Sequence, residues 1–246
     1  MAGAPLPLLG TFHELSVATH EVRAAVEFYE RLGFSQATTS DVFTHPYGVL
    51  TDGRLAIGLH GRAAPAITLT FVRPGIAATL PAFAAAGIVL LSCHVGEEVF
   101  NELTFADPFG QTVAVLEART YSPAPRAAHE TSLCGDFAEI SLPVSDFAAA
   151  QAFWEPLGFV AAEEAQTPYR HLTLTSDYLD VAFHPPELCR RPMLVFRDAN
   201  IAARLERLRT LGLEVSDLPL SSSGSAAAAL LHDPAGTPLV LAEAEP

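Results

Sequence analysis

Residues Gly10 to Phe34, GTFHELSVATHEVRAAVEFYERLGF, return 125 positions later as GDFAEISLPVSDFAAAQAFWEPLGF from Gly135 to Phe159. The copies align without a gap and agree at Gly10/Gly135, Phe12/Phe137, Glu14/Glu139, Ser16/Ser141, Ala24/Ala149, Ala25/Ala150, Phe28/Phe153, Glu30/Glu155, Leu32/Leu157, Gly33/Gly158 and Phe34/Phe159. A repeat of this length means that whatever one copy folds into, the other folds into as well. Each copy reads as an alternating strand followed by an amphipathic helix. The period puts Phe28 and Leu32, and likewise Phe153 and Leu157, one turn apart on the face expected to be buried. Gly33 and Gly158 stand where a helix ends in a left-handed residue. Strand alternation places Glu14 and Ser16 on one face and turns Leu15 and Val17 toward the helix.

The offset divides the 246 residues near the middle, and each part is long enough for a core of its own. Half of the residues are hydrophobic, yet Pro, Gly and charged residues interrupt every apolar run well short of the roughly 20 residues that a membrane span needs. The opening, MAGAPLPLLGTF, lacks the basic flank and long apolar segment of a secretory signal. A soluble, cytoplasmic protein with no membrane partner is expected. Net charge is -14, and arginine carries all the positive charge because the chain has no lysine. Neither half offers the basic face that a phosphate backbone requires, so no nucleic-acid partner is expected. Cys93, Cys134 and Cys189 are odd in number and show no CxxC spacing, which fits free thiols in a reducing compartment.

Along the chain, the first helix is followed by strands expected at Ser35-Thr39, Tyr47-Asp52 and Leu55-His60, separated by Pro46 and the Asp52-Gly53 turn signal. The unit is βαβββ. A diverged second unit follows: a strand at Ala66-Val72, an alanine-rich helix from about Gly75 to Ala86, then strands near Ile88-Cys93, Asn101-Phe105 and Thr112-Glu117. Asp107-Pro108-Phe109-Gly110 forms a tight turn before the last of these. Tyr121 to Cys134 holds two prolines and no sustained apolar period, and reads as an accessible linker. The later copy repeats the order, with strands near Arg170-Thr175, Leu179-His184 and Met193-Phe196. A helix from about Asn200 to Leu211 follows, then a strand from Leu213, a loop at Leu220-Ala229 running into a weak strand, the Asp233-Pro234-Ala235-Gly236 turn and a closing strand at Pro238-Ala242.

Four βαβββ units, the FYERLGF and FWEPLGF segments ending at Phe34 and Phe159, and a DPxG turn before the last strand of each half resemble the vicinal oxygen chelate superfamily. That group holds glyoxalases, bleomycin-resistance proteins and extradiol dioxygenases. The resemblance implies an α+β fold in which each pair of units curls into a cup-shaped mixed sheet. It gives two tandem domains, residues 1-119 and 135-246, joined by a linker at 120-134. It also implies where a metal would sit, with one side chain each from the first, fourth, fifth and eighth strands of a pair of units. In the first half those positions are Glu14, Ala56, Ala66 and Ala114, and three of the four cannot bind a metal. In the second half they are Glu139, Asp180, Arg191 and Val240, where two carboxylates face an arginine expected to pair with Glu139. His60 and His184 follow on the faces of the fourth strands, and Tyr47 and His171 are expected to line the cups from the third.

The expected ligand-lining set is therefore Glu14, Tyr47, His60, Glu139, His171, Asp180, His184 and Arg191. With the metal positions depleted, the resemblance favours binding of a small organic molecule in one or both cups, without cofactor or tightly bound metal, in the manner of a bleomycin-resistance protein. The alternative is a metal-dependent glyoxalase-type lyase or isomerase, or an extradiol-type dioxygenase, with a divalent metal on Glu139, Asp180 and His184 and Glu139 as the candidate catalytic residue. The assembly implied is a monomer acting as an internal pseudo-dimer, or a homodimer. No GxSxG elbow, Walker loop, GxGxxG or HExxH occurs in the chain.

Overall fold

A computed structural model describes residues 7-38, 44-63, 66-118, 132-218 and 228-244. Most of the expected linker and most of Leu220-Ala229 lie outside them. The first half runs β1 (Thr11–Ala18), α1 (Val22–Arg31), β2 (Ser35–Ala37), β3 (Tyr47–Thr51), β4 (Ala56–His60), β5 (Ile67–Arg73), α2 (Ile76–Ala85), β6 (Leu90–His94), β7 (Glu102–Ala106) and β8 (Thr112–Glu117). The second runs β9 (Asp136–Pro143), α3 (Phe147–Trp154), β10 (Val160–Ala165), β11 (His171–Thr175), β12 (Val181–His184), β13 (Met193–Asp198), α4 (Ile201–Thr210), β14 (Ser216–Asp217), β15 (Ala228–His232) and β16 (Pro238–Glu243). The strand β10 follows Phe159 where sequence patterning alone gave none, because its run of Ala and Glu is half to fully exposed and carries no apolar alternation.

Each half builds one eight-stranded mixed sheet, ordered β2-β3-β4-β1-β5-β8-β7-β6 and β10-β11-β12-β9-β13-β16-β15-β14. Two βαβββ units meet at the centre of each, where β1 is antiparallel to β5 and β9 to β13, while the last strand of each unit returns parallel to its first. Leu15 and Val17 are buried on the helix side of β1, with Ile140 and Leu142 their counterparts on β9. Glu14, Ser16, Glu139 and Ser141 consequently point into the concave face. Gly33 and Gly158 take φ of 90° and 102°, closing the first helix of each half in the left-handed conformation expected of them.

The buried helical face holds Leu32, Trp154 and Leu157 as expected and takes in Tyr29 as well. Tyr29 and Trp154 are fully buried while Phe28 and Phe153 are only partly so, because the halves pack on each other across these helices. Tyr29 donates its hydroxyl to Asp233 Oδ2 at 3.0 Å, and Trp154 donates its indole N–H to Asp107 Oδ2 at 3.3 Å. Each half's repeat helix thus reaches the DPxG turn of the other. Phe34 meets Phe196 edge-on and Phe105 lies against Phe153 across the same boundary. One continuous apolar core runs through both halves. Ser132 and Cys134 are already buried ahead of β9, and the Leu133 amide donates to the carbonyl of Leu32. No helix among the described residues is long and apolar enough to cross a membrane.

A shared core predicts that the halves unfold together. Trp154 is the only tryptophan and sits at the boundary, so its fluorescence should change in urea at the same midpoint as the far-ultraviolet circular dichroism; a fluorescence transition well ahead of it would contradict the shared core. Trp154→Ala should cost about 3–5 kcal/mol. Tyr29→Phe, which strips one donor from a buried carboxylate, should cost about 1–3 kcal/mol.

Candidate functional site in the first cup

Glu14 is 3% exposed on β1, and a carboxylate there is tolerable only with donors around it. It has three. Ser16 Oγ donates to Oε1 at 2.7 Å, Tyr47 OH donates to Oε2 at 2.7 Å, and His60 Nε2 meets Oε1 at 3.0 Å. Burial alone would raise the Glu14 pKa, but the bonds from His60, Tyr47 and Ser16, helped by the charge of His13, hold it below the ordinary carboxylate value. Glu14 is therefore an anion. The network continues outward: His60 Nδ1 lies 3.0 Å from His45 Nε2, the Tyr47 ring lies against His60, and Ser16 Oγ is 2.8 Å from Thr70 Oγ1. Gly58 makes room for it, because a Cβ there would run into the Glu14 carboxylate.

The rest of this concave face is small and partly open. Ala56 adjoins Gly58 on β4, Thr70 stands opposite Glu14 on β5, and Ala114 stands beside Thr70 on β8. Ser16, Tyr47, Ala56, Thr68 and Thr104 are half-buried. Of the expected lining residues, Glu14, Tyr47 and His60 are brought together. Ala66 is corrected: β5 begins after it, and the position facing Glu14 belongs to Thr70.

The second cup is wired differently. Glu139, also 3% exposed, accepts from Thr173 Oγ1 at 2.7 Å, and its Oε1 is 3.6 Å from Arg197 Nη2. Arg191 does not pair with it. That residue precedes β13, is exposed and donates to the Gly236 carbonyl at 2.7 Å, because β13 begins at Met193, where the sequence put it, and its pairing sets Val195 opposite Glu139. An arginine does face Glu139, six residues further on. His171 donates Nδ1–H to the Tyr169 carbonyl, and its Nε2 lies 3.4 Å from Arg197. His184 is fully buried, with Nε2 on the Cys189 carbonyl and Nδ1 on Ser141 Oγ. The carbonyl can only accept, so Nε2 bears the proton and the hydroxyl donates to Nδ1. Burial drives this histidine down to about 4. Tyr169, Met193, Val195, Leu218 and Val240 pack together as an apolar cluster on this face. Asp180, just ahead of β12, lines a cleft of about 210 Å³ between the halves along with Phe12, Phe137, Arg54 and Tyr178.

Neither donor set fits a divalent centre. Among the described residues no group of three His, Cys, Asp or Glu side chains is placed to hold one metal ion. In the second half, the expected Glu139, Asp180 and His184 do not form one: both nitrogens of His184 are engaged elsewhere, and Val195 and Val240 occupy the fifth- and eighth-strand places. Sequence patterning missed His45, Thr70, Tyr169, Thr173 and Arg197. Parity would have found His45 and Tyr169, which lie two residues ahead of Tyr47 and His171.

Two pH effects follow. The Glu14 pKa is lower folded than unfolded, so its contribution to stability is complete above the ordinary glutamate value of 4.5 and is lost as pH falls through the folded value. In Glu14→Gln that part of the acid limb should disappear from urea titrations. His184 behaves likewise over a higher window: between pH 6.5 and about 4 the unfolded chain takes up a proton that the folded one refuses, so stability falls with pH there. His184→Gln should flatten that window, and an unchanged slope would show that the histidine is not buried neutral.

No family sequence model matches the chain, and no curated protein does. Solved structures do. The catechol 2,3-dioxygenase fold superposes with a TM-score of 0.63 at 15% identity, covering 98% of this chain and 89% of that one. Homoprotocatechuate 2,3-dioxygenase from Arthrobacter globiformis gives 0.64 at 14%, covering 99% and 82%. The Mn(II)-bound glyoxalase from Novosphingobium aromaticivorans gives 0.59 at 13%, covering 95% and 81%. Two eight-stranded mixed sheets built from four βαβββ units give the chain the fold of these dioxygenases and this glyoxalase.

Proposed function

We propose that the protein binds a small neutral or cationic organic molecule in its first cup, without a tightly bound metal, and that the second cup serves the shared core instead of a ligand. What supports this reading most is the contrast between the two concave faces. The first keeps an ionised carboxylate, a phenol and a histidine chain beneath half-buried Ala, Ser and Thr side chains, whereas the second is packed with Tyr169, Met193, Val195, Leu218 and Val240. A pocket of small apolar walls with a few convergent polar groups is the ordinary form of a small-molecule site. Glu14 already holds three donors, so the ligand is not needed to neutralise it. Its negative field disfavours anions, and Tyr47 and Thr68 offer hydroxyls to a polar edge. The chain is taken to act as a monomer whose halves form an internal pseudo-dimer, in a soluble, cytoplasmic setting.

A metal-dependent lyase or dioxygenase is the competing reading, favoured by the metal in the glyoxalase neighbour and opposed by the donor sets above. A thermal-shift screen with matched neutral, cationic and anionic aromatics, run beside elemental analysis, separates the two. Neutral or cationic members should raise the melting temperature. Tyr47→Phe should weaken the best of them by about 1–2 kcal/mol, and Glu139→Gln should leave it unchanged. Preferential stabilisation by anions, or about one equivalent of transition metal per chain lost on Glu139→Ala, would overturn the reading.

A further inference from the structure

The far edge of the first sheet carries apolar side chains that neither the core nor the first cup uses. β6 ends the strand order and has β7 on one side only. Val89, just ahead of it, and Leu91 on it are 80% and 65% exposed, and Val95, Val99 and Phe100 in the connection to β7 are exposed as well. Among the described residues only Val160 and Leu211 are large apolar side chains of comparable exposure, and they belong to other elements. The pairing of β6 with β7 slips between Leu90 and Ser92. A bulge commonly serves to blunt an open edge, often with a charge, but here the residue at the slip is a leucine. The connection is ordered without burying its apolar side chains: the Gly96 amide donates to Asn101 Oδ1 at 2.8 Å, and Asn101 Nδ2 donates to Glu117 Oε2 at 2.8 Å.

The repeat supplies an internal comparison. The offset of 125 carries Ile88, Val89, Leu90 and Leu91 onto Leu213, Glu214, Val215 and Ser216. Burial matches position by position: Ile88 and Leu213 are buried, Leu90 and Val215 half-buried, and the two alternate positions of each copy exposed. What differs is the chemistry of the exposed positions, Val and Leu in one copy against Glu and Ser in the other. The duplicated scaffold therefore folds with polar residues there and does not need the apolar ones. Single apolar residues on a surface are ordinary, whereas a cluster of them on an open sheet edge marks a contact surface.

The charge around the patch selects its occupant. Residues 88-105 hold Glu97, Glu98 and Glu102 and no arginine. Glu97 and Glu98 are exposed, and Glu102 Oε1 lies 3.3 Å from His94 Nδ1. A second copy of the chain would bring the same patch against itself, setting these glutamates against their own duplicates between two molecules of net charge -14. A basic partner meets the opposite field. We propose that β6 and its connection to β7 dock an extended segment of another protein, one in which apolar side chains alternate with arginine or lysine, and add it to the first sheet as a further strand. The backbone of the segment pairs with the outer edge of β6, its apolar side chains cover Val89, Leu91 and Phe100, and its cations reach Glu97 and Glu98. The ligand of the first cup has no part in this contact, so the docking surface stands apart from the binding function.

The experiment uses the full-length protein and a fluorescein-labelled peptide of alternating valine and arginine, followed by anisotropy, beside control peptides that alternate valine with glutamate and serine with arginine. Sedimentation velocity reports the oligomeric state over the same protein concentrations. The valine-arginine peptide should bind saturably, and each control about tenfold more weakly or worse. Val89→Glu combined with Leu91→Ser, the residues that the second half carries at these places, should weaken binding by about tenfold or more while circular dichroism and melting temperature stay those of the wild type; Leu91→Ser alone, the milder change, should move binding in the same direction. Glu97→Gln combined with Glu98→Gln should weaken binding and flatten its salt dependence, and Leu211→Ser, at an exposed leucine on another element, should change nothing. No saturable binding by the wild type, equal binding of the serine-arginine peptide, or binding indifferent to the double variant in a folded protein would overturn the proposal. So would a concentration-dependent dimer that the double variant abolishes, because the surface would then belong to a second copy.

Discussion

The two hydrogen bonds exchanged between the halves, Tyr29 to Asp233 and Trp154 to Asp107, hold the rest of the molecule in place. Each ties the helix of one repeat to the turn that launches the last strand of the other. The carboxylates concerned are buried, and burial raises both above the usual aspartate range even though each is held by the backbone N–H groups of its own turn. A buried acceptor of this kind fixes geometry, because leaving it unmet is costly. The reciprocal pairing spans the boundary across which the apolar layers of the two halves join into one core. Each cup is then free to change its lining without loosening the other half.

That freedom has been used unequally. The same strand positions carry Glu14 and Glu139, yet the first is surrounded by donors and small half-buried side chains, and the second by an arginine, a threonine and a plug of apolar residues. The fourth-strand histidines diverge in the same sense: His60 points its protonated nitrogen at a carboxylate, His184 at a backbone carbonyl. Packing Met193, Val195, Leu218 and Val240 together on the second concave face adds buried apolar area, at roughly 25 cal/mol per Å². The first cup gives up that stabilisation.

Much of this was legible in the sequence, for identifiable reasons. The repeat fixed the unit and its count, alternation put Glu14 and Glu139 on the concave face, and Gly33, Gly158 and the DPxG turns marked the ends of elements. Tyr47 and His60 could be placed because they lie at whole pleats from recognisable strand residues. What failed was register across strands. Arg191 and Ala66 were assigned to positions that Val195 and Thr70 occupy, because which residues stand opposite each other is set by strand pairing and not by a strand's own composition. The full burial of Tyr29 was likewise out of reach, since it depends on where the other half docks. Arg197 could not be chosen over Arg191 without that same pairing.

The claim that one cup is a site and the other a plug is tested most directly by a crystal structure of the protein soaked with phenol, a neutral ring bearing one hydroxyl. The account predicts phenol in the first cup with its hydroxyl against the Tyr47 and Glu14 network, and Met193, Val195, Leu218 and Val240 still in mutual contact in the second. Phenol or a metal ion seated beside Glu139, with that cluster opened and the first cup empty, would contradict it.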